Sequence, residues 1–472
     1  MGYYNIRYLD NKYLPLNVKF KNMQYRSSLF IRFYLIAGLL TFATSAKAYE
    51  VNKNAVALLI AKDKVGKTVG TGSGFVARPE GTLVTNYHVL VDAHTVDAHF
   101  PDGSHSKVQG ILKVNREKDF AILKLEKGPY STLEIGDSSS LKPYDYASAL
   151  GYLSEQVNQQ NEKGKGKIVQ IYGFILGIHS QANPNIPFIY TTTPFGPGFS
   201  GGPVVDSSNK VIGLATVEGR SINLALPINP VKEFLDTETV FSFEKLLGQD
   251  INSLEAMYYR GNFFLYGLGD TNKAISEFEK ILAKNPNHTL AHYDLAVAYR
   301  DQGMIEKAIA EYERTLELSP RFPEALSNLG GYYFRSGKLK KAVELFKKSV
   351  QIYPNFIQAL SNLGAALNKQ GQSDQAVQYL NRALTLDPDF AIANFNLGNS
   401  LFALNQWEEA RKAYELSQKQ GIDFLSMHWK LYEIHLKNHK TKEAEKELKI
   451  ILDIDPLNEE AKKKLSELPV LH

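Results

Sequence analysis

Apolar and polar positions follow two different rhythms along this chain, and the change falls near Asp236. From Val51 to about Asp236, short apolar runs alternate with Gly, Pro, Asn and Asp. Ala55–Ile60, Gly74–Ala77, Thr82–Thr85, Ala121–Leu125 and Lys210–Ala215 are such runs. Many short strands between turn signals predict a β-barrel or sandwich. Beyond Asp236 the period is helical. Alanines recur at Ala274, Ala308, Ala342, Ala376, Ala410 and Ala444, each 34 residues after the last. Pro286, Pro320, Pro354 and Pro388 keep the same step, Ile422 interrupts it, and Pro456 restores it. Phe278, Tyr312, Phe346, Leu380, Tyr414 and Leu448 share the frame, and Gly330, Gly364 and Gly398 mark a close contact between helices. One register held across six positions predicts six helix pairs from about Glu255 to Asn458, each with an apolar face that only its neighbours cover. Residues 459–468 suit a capping helix within a tail of 459–472, and 237–254 reads as a linker with a short helix at Phe243–Leu247.

The strand-rich half carries the candidate chemistry. In Pro197-Gly198-Phe199-Ser200-Gly201-Gly202-Pro203 a serine sits between glycines in a tight turn. Gly198 can take a backbone conformation closed to residues with a Cβ, so its N–H and that of Ser200 can aim at one developing oxyanion. A serine nucleophile needs a base and a group that orients the base. His88 follows the strand-like Thr82–Thr85, and Asp119 heads Phe120–Leu125. In that set His88 takes the Ser200 proton and returns it to the leaving group, while Asp119 holds the imidazole tautomer. Asp92 and Asp97 compete for the orienting role but lack the apolar strand that follows Asp119.

These residues carry a resemblance. Gly72-Ser73-Gly74-Phe75, Thr85-Asn86-Tyr87-His88-Val89, Asp119-Phe120-Ala121-Ile122-Leu123-Lys124 and Gly198-Phe199-Ser200-Gly201-Gly202-Pro203 resemble the trypsin-like fold, and within it the HtrA/Deg branch of proteases. The resemblance covers 49–236 and implies two packed β-barrels with the triad in the cleft, and endopeptidase activity on unfolded protein. Asn223-Leu224-Ala225-Leu226-Pro227 is similar to the segment lining the specificity pocket in that branch. Phe199 stands where digestive relatives carry an acid that pairs with a newly cut N-terminus, so activation by that ion pair is not expected. Pro194 falls where the base of a trypsin pocket would carry a carboxylate, which implies a preference for small or aliphatic residues at the cut. The polar loop Gln156–Lys167 has the composition of a mobile segment. In HtrA relatives loops of this region order the active site, so a resting state that is inactive is one expectation. The PDZ domain usual in that branch is missing.

The 34-residue pattern resembles tetratricopeptide (TPR) repeats. The resemblance implies a superhelix whose concave groove binds a peptide or a partner protein. Asn328, Asn362 and Asn396 occupy one repeat position on the first helix of each pair and resemble an asparagine ladder that holds an extended peptide; the same asparagines are also ordinary repeat residues. Tyr259, Tyr293, Phe395 and Trp429 stand one position earlier in this frame, as further groove contacts or as packing.

Ahead of both halves, Arg26 and Arg32 precede the apolar run Phe33–Ala43 and then Ala46-Lys47-Ala48. That is the pattern of a secretory signal over residues 1–48, with Met23 as an alternative start and an uncleaved inner-membrane anchor as the alternative reading. The expected location is the periplasm or the cell exterior, with no stable membrane span once the signal is cut. Balanced charge, 54 basic against 50 acidic residues, gives no reason to expect nucleic acid. With no cysteine, a disulfide framework and a thiolate nucleophile are excluded. His435 and His439 are four apart on a helix without a third ligand in view, so neither metal nor cofactor is assigned. The sequence therefore reads as an exported serine endopeptidase: a chymotrypsin-like double β-barrel followed by an all-α TPR solenoid. Its expected partners are an unfolded protein or peptide substrate and a protein bound through the groove, and an oligomer is compatible with the family. A scaffold with an inactive or gated protease domain, or other acyl-transfer chemistry on the same barrels, remain the alternatives.

Overall fold

The chain divides into two units, Met1–Asn52 and Lys53–His472. The computed structural model describes residues 51–126, 128–153, 167–180, 187–194, 196, 198–216, 223–248 and 252–468, and the elements below all lie in the second unit. The signal-like segment and most of the Gln156–Lys167 loop lie outside the described residues.

The short apolar runs form two closed six-stranded barrels. In the first, β1 (Val56–Lys62), β2 (Thr68–Arg78), β3 (Thr82–Thr85), β4 (Thr95–His99), β5 (His105–Asn115) and β6 (Phe120–Leu125) close in the order β1-β2-β3-β6-β5-β4. In the second, β7 (Tyr146–Tyr152), β8 (Ile168–Ser180), β9 (Pro187–Thr191), β10 (Pro203–Val205), β11 (Val211–Thr216) and β12 (Asn223–Pro227) close as β10-β11-β12-β9-β8-β7. Closure removes the free edges that short strands would otherwise present. Several strands are buried along nearly their whole length, as in β3 and β11, because one face fills a barrel and the other packs on a neighbour. The barrels meet where the Ser73 N–H donates to the Ser200 carbonyl at 2.8 Å.

After the barrels come α1 (Asn229–Lys232) and α2 (Phe243–Leu247). The stretch expected as a linker is pinned to the first barrel: Phe241 and Ile111 exchange backbone hydrogen bonds at 2.8 and 2.9 Å. The Arg116 guanidinium also donates to the Leu246 carbonyl at 2.6 Å.

The helical half then runs as antiparallel pairs. These are α3 (Leu254–Asn262) with α4 (Thr271–Lys284), α5 (Thr289–Asp301) with α6 (Ile305–Leu318), and α7 (Pro323–Arg335) with α8 (Leu339–Ile352). Next come α9 (Ile357–Lys369) with α10 (Ser373–Leu386), α11 (Ala391–Ala403) with α12 (Trp407–Lys419), and α13 (Leu425–Lys437) with α14 (Thr441–Ile454); α15 (Glu459–Glu467) follows. The glycines do what the frame requires. A Cβ at Gly330, Gly364 or Gly398 would stand 2.8, 2.5 or 2.5 Å from Phe346, Leu380 or Tyr414, closer than packed carbons come.

One repeat departs from the frame. The residue that meets Phe278 in this way is Gly261, at 2.5 Å, and Phe278 follows it by 17 residues where the later pairs are 16 apart. The additional residue is taken up by a π-helical turn over Phe263–Leu268, closed by Gly269 at φ 68°. A single widened turn is the usual way a helix absorbs an insertion. Tyr259 therefore stands two residues before the contact glycine, as Asn328 stands before Gly330. It occupies the ladder position itself, not the one before it, because the 34-residue frame does not register the slip.

A single hydrophobic cluster runs from the interior of the first barrel, through Tyr87 and Val89, into the early repeats at Tyr259, Phe278 and Tyr312. The second barrel has its own core around Ile175, Ile189 and Phe199.

Candidate active site

His88 lies on a 3₁₀ turn, Tyr87–Leu90, that begins where β3 ends. Asp119 stands just before β6 with φ 51°, a left-handed conformation that is costly for a residue with a side chain. The strain brings its carboxylate onto the histidine. One oxygen accepts the His88 backbone N–H at 2.9 Å, and the other lies 2.7 Å from His88 Nδ1. That geometry suits an imidazole that donates from Nδ1 and leaves Nε2 for a nucleophile. Neighbours fix the acid further: the Asn86 amide donates to the Asp119 carbonyl at 2.7 Å, and the Thr216 hydroxyl reaches its carboxylate at 3.4 Å. The rival acids have other partners. Asp92 pairs with Arg260 at 3.0 Å and Asp97 with Lys62 at 3.0 Å.

Ser200 is buried at 5 % exposure, between Gly198 at φ 98° and Gly201 at φ 82°. Its turn abuts the histidine segment. A Cβ on Gly201 would stand 2.2 Å from the Thr85 hydroxyl and 2.7 Å from the Asn86 nitrogen. A Cβ on Gly72 would meet both Val89 and the Ser200 carbonyl within 2.8 Å. Only glycine permits such approaches.

Ser73, fully buried, holds the turn from the opposite barrel. Its hydroxyl donates to the Gly198 carbonyl at 2.7 Å and accepts the Tyr152 N–H at 3.0 Å. Its own carbonyl accepts from the Thr85 hydroxyl at 2.7 Å. Orienting the Gly198 carbonyl orients the peptide that follows it, next to where oxyanion donors are needed. Sequence reading had Ser73 only as part of a motif, and Thr216 not at all, although a hydroxyl residue ending a strand after the serine motif was there to be seen.

The pocket residues are spread. Ala225 belongs to the core of the second barrel, Leu224 is equally buried, Asn223 is half-buried opposite Thr191, and Pro194 is exposed. Residues 217–222, Phe195 and Pro197, which flank the same region, lie outside the described residues. Along the ladder, the Asn328 amide donates to the hydroxyls of Tyr293 and Tyr312 at 3.3 Å, and that of Asn396 to the Ser361 hydroxyl at 3.1 Å. Asn362 is half-buried at the same position. Asp294, the equivalent in the second repeat, is buried and accepts from Tyr258 at 2.8 Å and Tyr266 at 2.5 Å. Burial pushes its carboxyl up to about 6 against those hydrogen bonds. His435 and His439 belong to no group of three or more ligands among the described residues.

Sequence comparison agrees with this division. The model of the trypsin-like peptidase domain matches residues 72–214. Three tetratricopeptide models match 265–329, 322–389 and 362–423. A putative serine protease HhoB of Synechocystis sp. is 32 % identical over 188 residues, covering 38 % of this chain and 42 % of the relative. Serine protease HTRA1 of Xenopus tropicalis is 31 % identical over 169 residues, 35 % of each chain. A probable periplasmic serine endoprotease, DegP-like, of Rickettsia conorii is 28 % identical over 185 residues, 37 % of this chain and 35 % of its own. The chain thus spans well under half the length of these relatives. It joins a trypsin-like peptidase domain with HtrA and DegP homologues to a C-terminal array of tetratricopeptide repeats.

Proposed function

We propose that this chain is an exported serine endopeptidase that cuts unfolded or partner-delivered proteins through an acyl-enzyme. Ser200 attacks the scissile carbonyl while His88 accepts its proton and Asp119 steadies the imidazole. The N–H groups of Gly198 and Ser200 receive the oxyanion. His88 then protonates the leaving amine, and a water repeats the sequence to free the acid. One observation carries the reading: the His88 ring is bonded at 2.7 Å to Asp119 on a segment that abuts the Ser200 turn. The printed names of the relatives, serine protease and periplasmic endoprotease, support it. Export is further supported by the signal-like N-terminus. No helix among the described residues is long and apolar enough to cross a membrane. In this proposal the pocket near Pro194 and Asn223–Ala225 favours small or aliphatic residues, and the repeat array, with Asn328, Asn362 and Asn396, binds substrate or a protein partner.

Casein digestion by the chain from Tyr49 tests the proposal. Ser200→Ala is expected to remove at least about 1,000-fold of the activity, and a fluorophosphonate is expected to label Ser200. A chain that neither cuts casein nor takes the label would count for the scaffold reading instead.

A further inference from the structure

The first repeat does not merely follow the peptidase domain; it reaches the catalytic residues. Tyr259 on α3 is buried, and its ring stacks on the His88 imidazole with centroids 5.7 Å apart and planes 28° from parallel. The ring is held in place by Tyr87 at 5.6 Å and Tyr258 at 5.5 Å, both edge-on. Its hydroxyl donates to the Arg116 carbonyl at 3.2 Å. That carbonyl also accepts the Asp119 N–H, at 3.4 Å, within the turn that carries Asp119 in its strained conformation. The next residue, Arg260, binds Asp92 at 3.0 Å on the segment just after His88, and Glu277 at 3.2 Å within the array. One tyrosine thus touches the base and the turn that holds its orienting acid, from a helix outside both barrels.

We propose that Tyr259 is a positioning residue for the reaction, so that the peptidase site is completed by the repeat array. This rests on the protease reading above. The physical effect is twofold. When His88 takes the Ser200 proton it becomes a cation, and an aromatic face beside it stabilises that charge as it develops. The hydroxyl, meanwhile, shares the carbonyl that closes the Asp119 turn, and so limits the ways in which the acid can leave the imidazole. Both effects act on the barrier, and neither acts on substrate binding. The array then has a part in turning over substrates too small to reach its groove.

The experiment uses the full mature chain and 4-nitrophenyl acetate, an ester with no peptide for the groove to hold. Tyr259→Leu removes ring and hydroxyl. It is expected to lower kcat by about 3- to 30-fold, the size of a desolvated cation–aromatic contact, with KM within twofold and Ser200 labelling by fluorophosphonate slowed in proportion. Tyr259→Phe keeps the ring and is expected to retain at least a third of the wild-type kcat. Arg260→Ala loosens the same helix without removing the stacked ring, and is expected to leave kcat nearer to wild type than Tyr259→Leu does. An unchanged kcat in a folded Tyr259→Leu variant overturns the proposal, as does an equal fall in Arg260→Ala. Should the leucine variant fail to fold, Tyr259→Met takes its place under the same two criteria. If the wild-type chain neither hydrolyses the ester nor takes the label, the protease reading falls and the inference with it. An active wild-type enzyme with an indifferent Tyr259 counts against Tyr259 alone.

Discussion

The two ends of the repeat array are built on one pattern and embedded differently. At its start, Tyr259, Phe278 and Tyr312 share a hydrophobic cluster with the interior of the first barrel. At its far end, Tyr414, Met427 and Leu431 form one separate cluster, and Tyr432, Leu448 and Ile451 another. Between them the second barrel also meets the array: Tyr353 packs on Tyr190 at 4.5 Å, and the Asn355 amide donates to the Leu176 carbonyl at 2.9 Å. The early repeats therefore share the core of the first barrel, whereas among the described residues the late clusters are made of repeat residues alone. A solenoid whose units see only their neighbours allows this, since its ends can be assigned to different work.

The contrast is broken most directly by truncation. Ending the chain at Asp236 strips the strand-like contact of Phe241 and bares Tyr87 and its neighbours. We expect such a chain to lose the cooperative melting transition of the barrels and its ester hydrolysis. Ending it at Asp387 removes both late clusters and is expected to leave both properties in place. Calorimetry and the ester assay on the two truncated chains decide the matter.

A smaller effect comes from filling the helix contacts. Gly398→Val forces a side chain against Tyr414 and is expected to cost the array about 1–3 kcal/mol, read as a lower denaturant midpoint, with ester kcat unchanged. Gly261→Val meets Phe278 in the same way but sits on the helix that carries Tyr259, so kcat is expected to fall as well.

The third test uses pH. His428, 1 % exposed, has Nδ1 at 2.6 Å from Glu447 and Nε2 at 2.8 Å from Asp423. Burial opposes its charge, but the two carboxylates prevail and push the imidazole up to about 9. The stability it lends is complete below about 6.5, the ordinary histidine value, and is lost as pH rises through about 9. The late repeats should therefore melt lower at pH 9.5 than at pH 6, by about 1–2 kcal/mol after allowance for the half-exposed Asp423. In the third repeat Leu326 and Leu345 stand at the positions of His428 and Glu447, so the double variant His428→Leu/Glu447→Leu should flatten that dependence. The smallest expected change is that of Asn355→Ala. Losing one neutral hydrogen bond to the second barrel should shift stability by about 0.5–1.5 kcal/mol, measured by urea denaturation, without altering ester kcat.

Much of this was legible in the residues. Apolar runs of strand length gave the barrels, and a strict 34-residue step gave the helix pairs, because both signals are local and repeated. The His88–Asp119 pairing could also be read from the apolar run that follows Asp119. The strand β4 that holds Asp97 and follows Asp92 is too polar to show in the pattern, and what sets those acids apart in the structure is their pairing with Lys62 and Arg260. What could not be read depends on contacts between distant segments. Nothing near Tyr259 announces that its ring will lie on His88. The 34-residue frame even placed it one position off, because a widened turn does not disturb the alanines on either side. Ser73 is similar: a serine between glycines in a strand looks like spacing, and only the approach of the second barrel gives its hydroxyl two partners.

The π-helical turn at Phe263–Leu268 has a consequence for exchanging modules. Each residue added to or taken from an α-helix rotates what lies beyond it by about 100°. Because the widened turn already absorbs the additional residue, deleting one there would give the opening repeat the 16-residue spacing of its siblings and leave Gly261 on Phe278 and Tyr259 beside the imidazole. A deletion in α3 itself, between Gly261 and Tyr259, would instead swing Tyr259 about a quarter-turn away. What keys the opening unit to the barrels is its side chains, Tyr259 and Arg260, so a generic unit with the same spacing could stand in for a late repeat but not for the first.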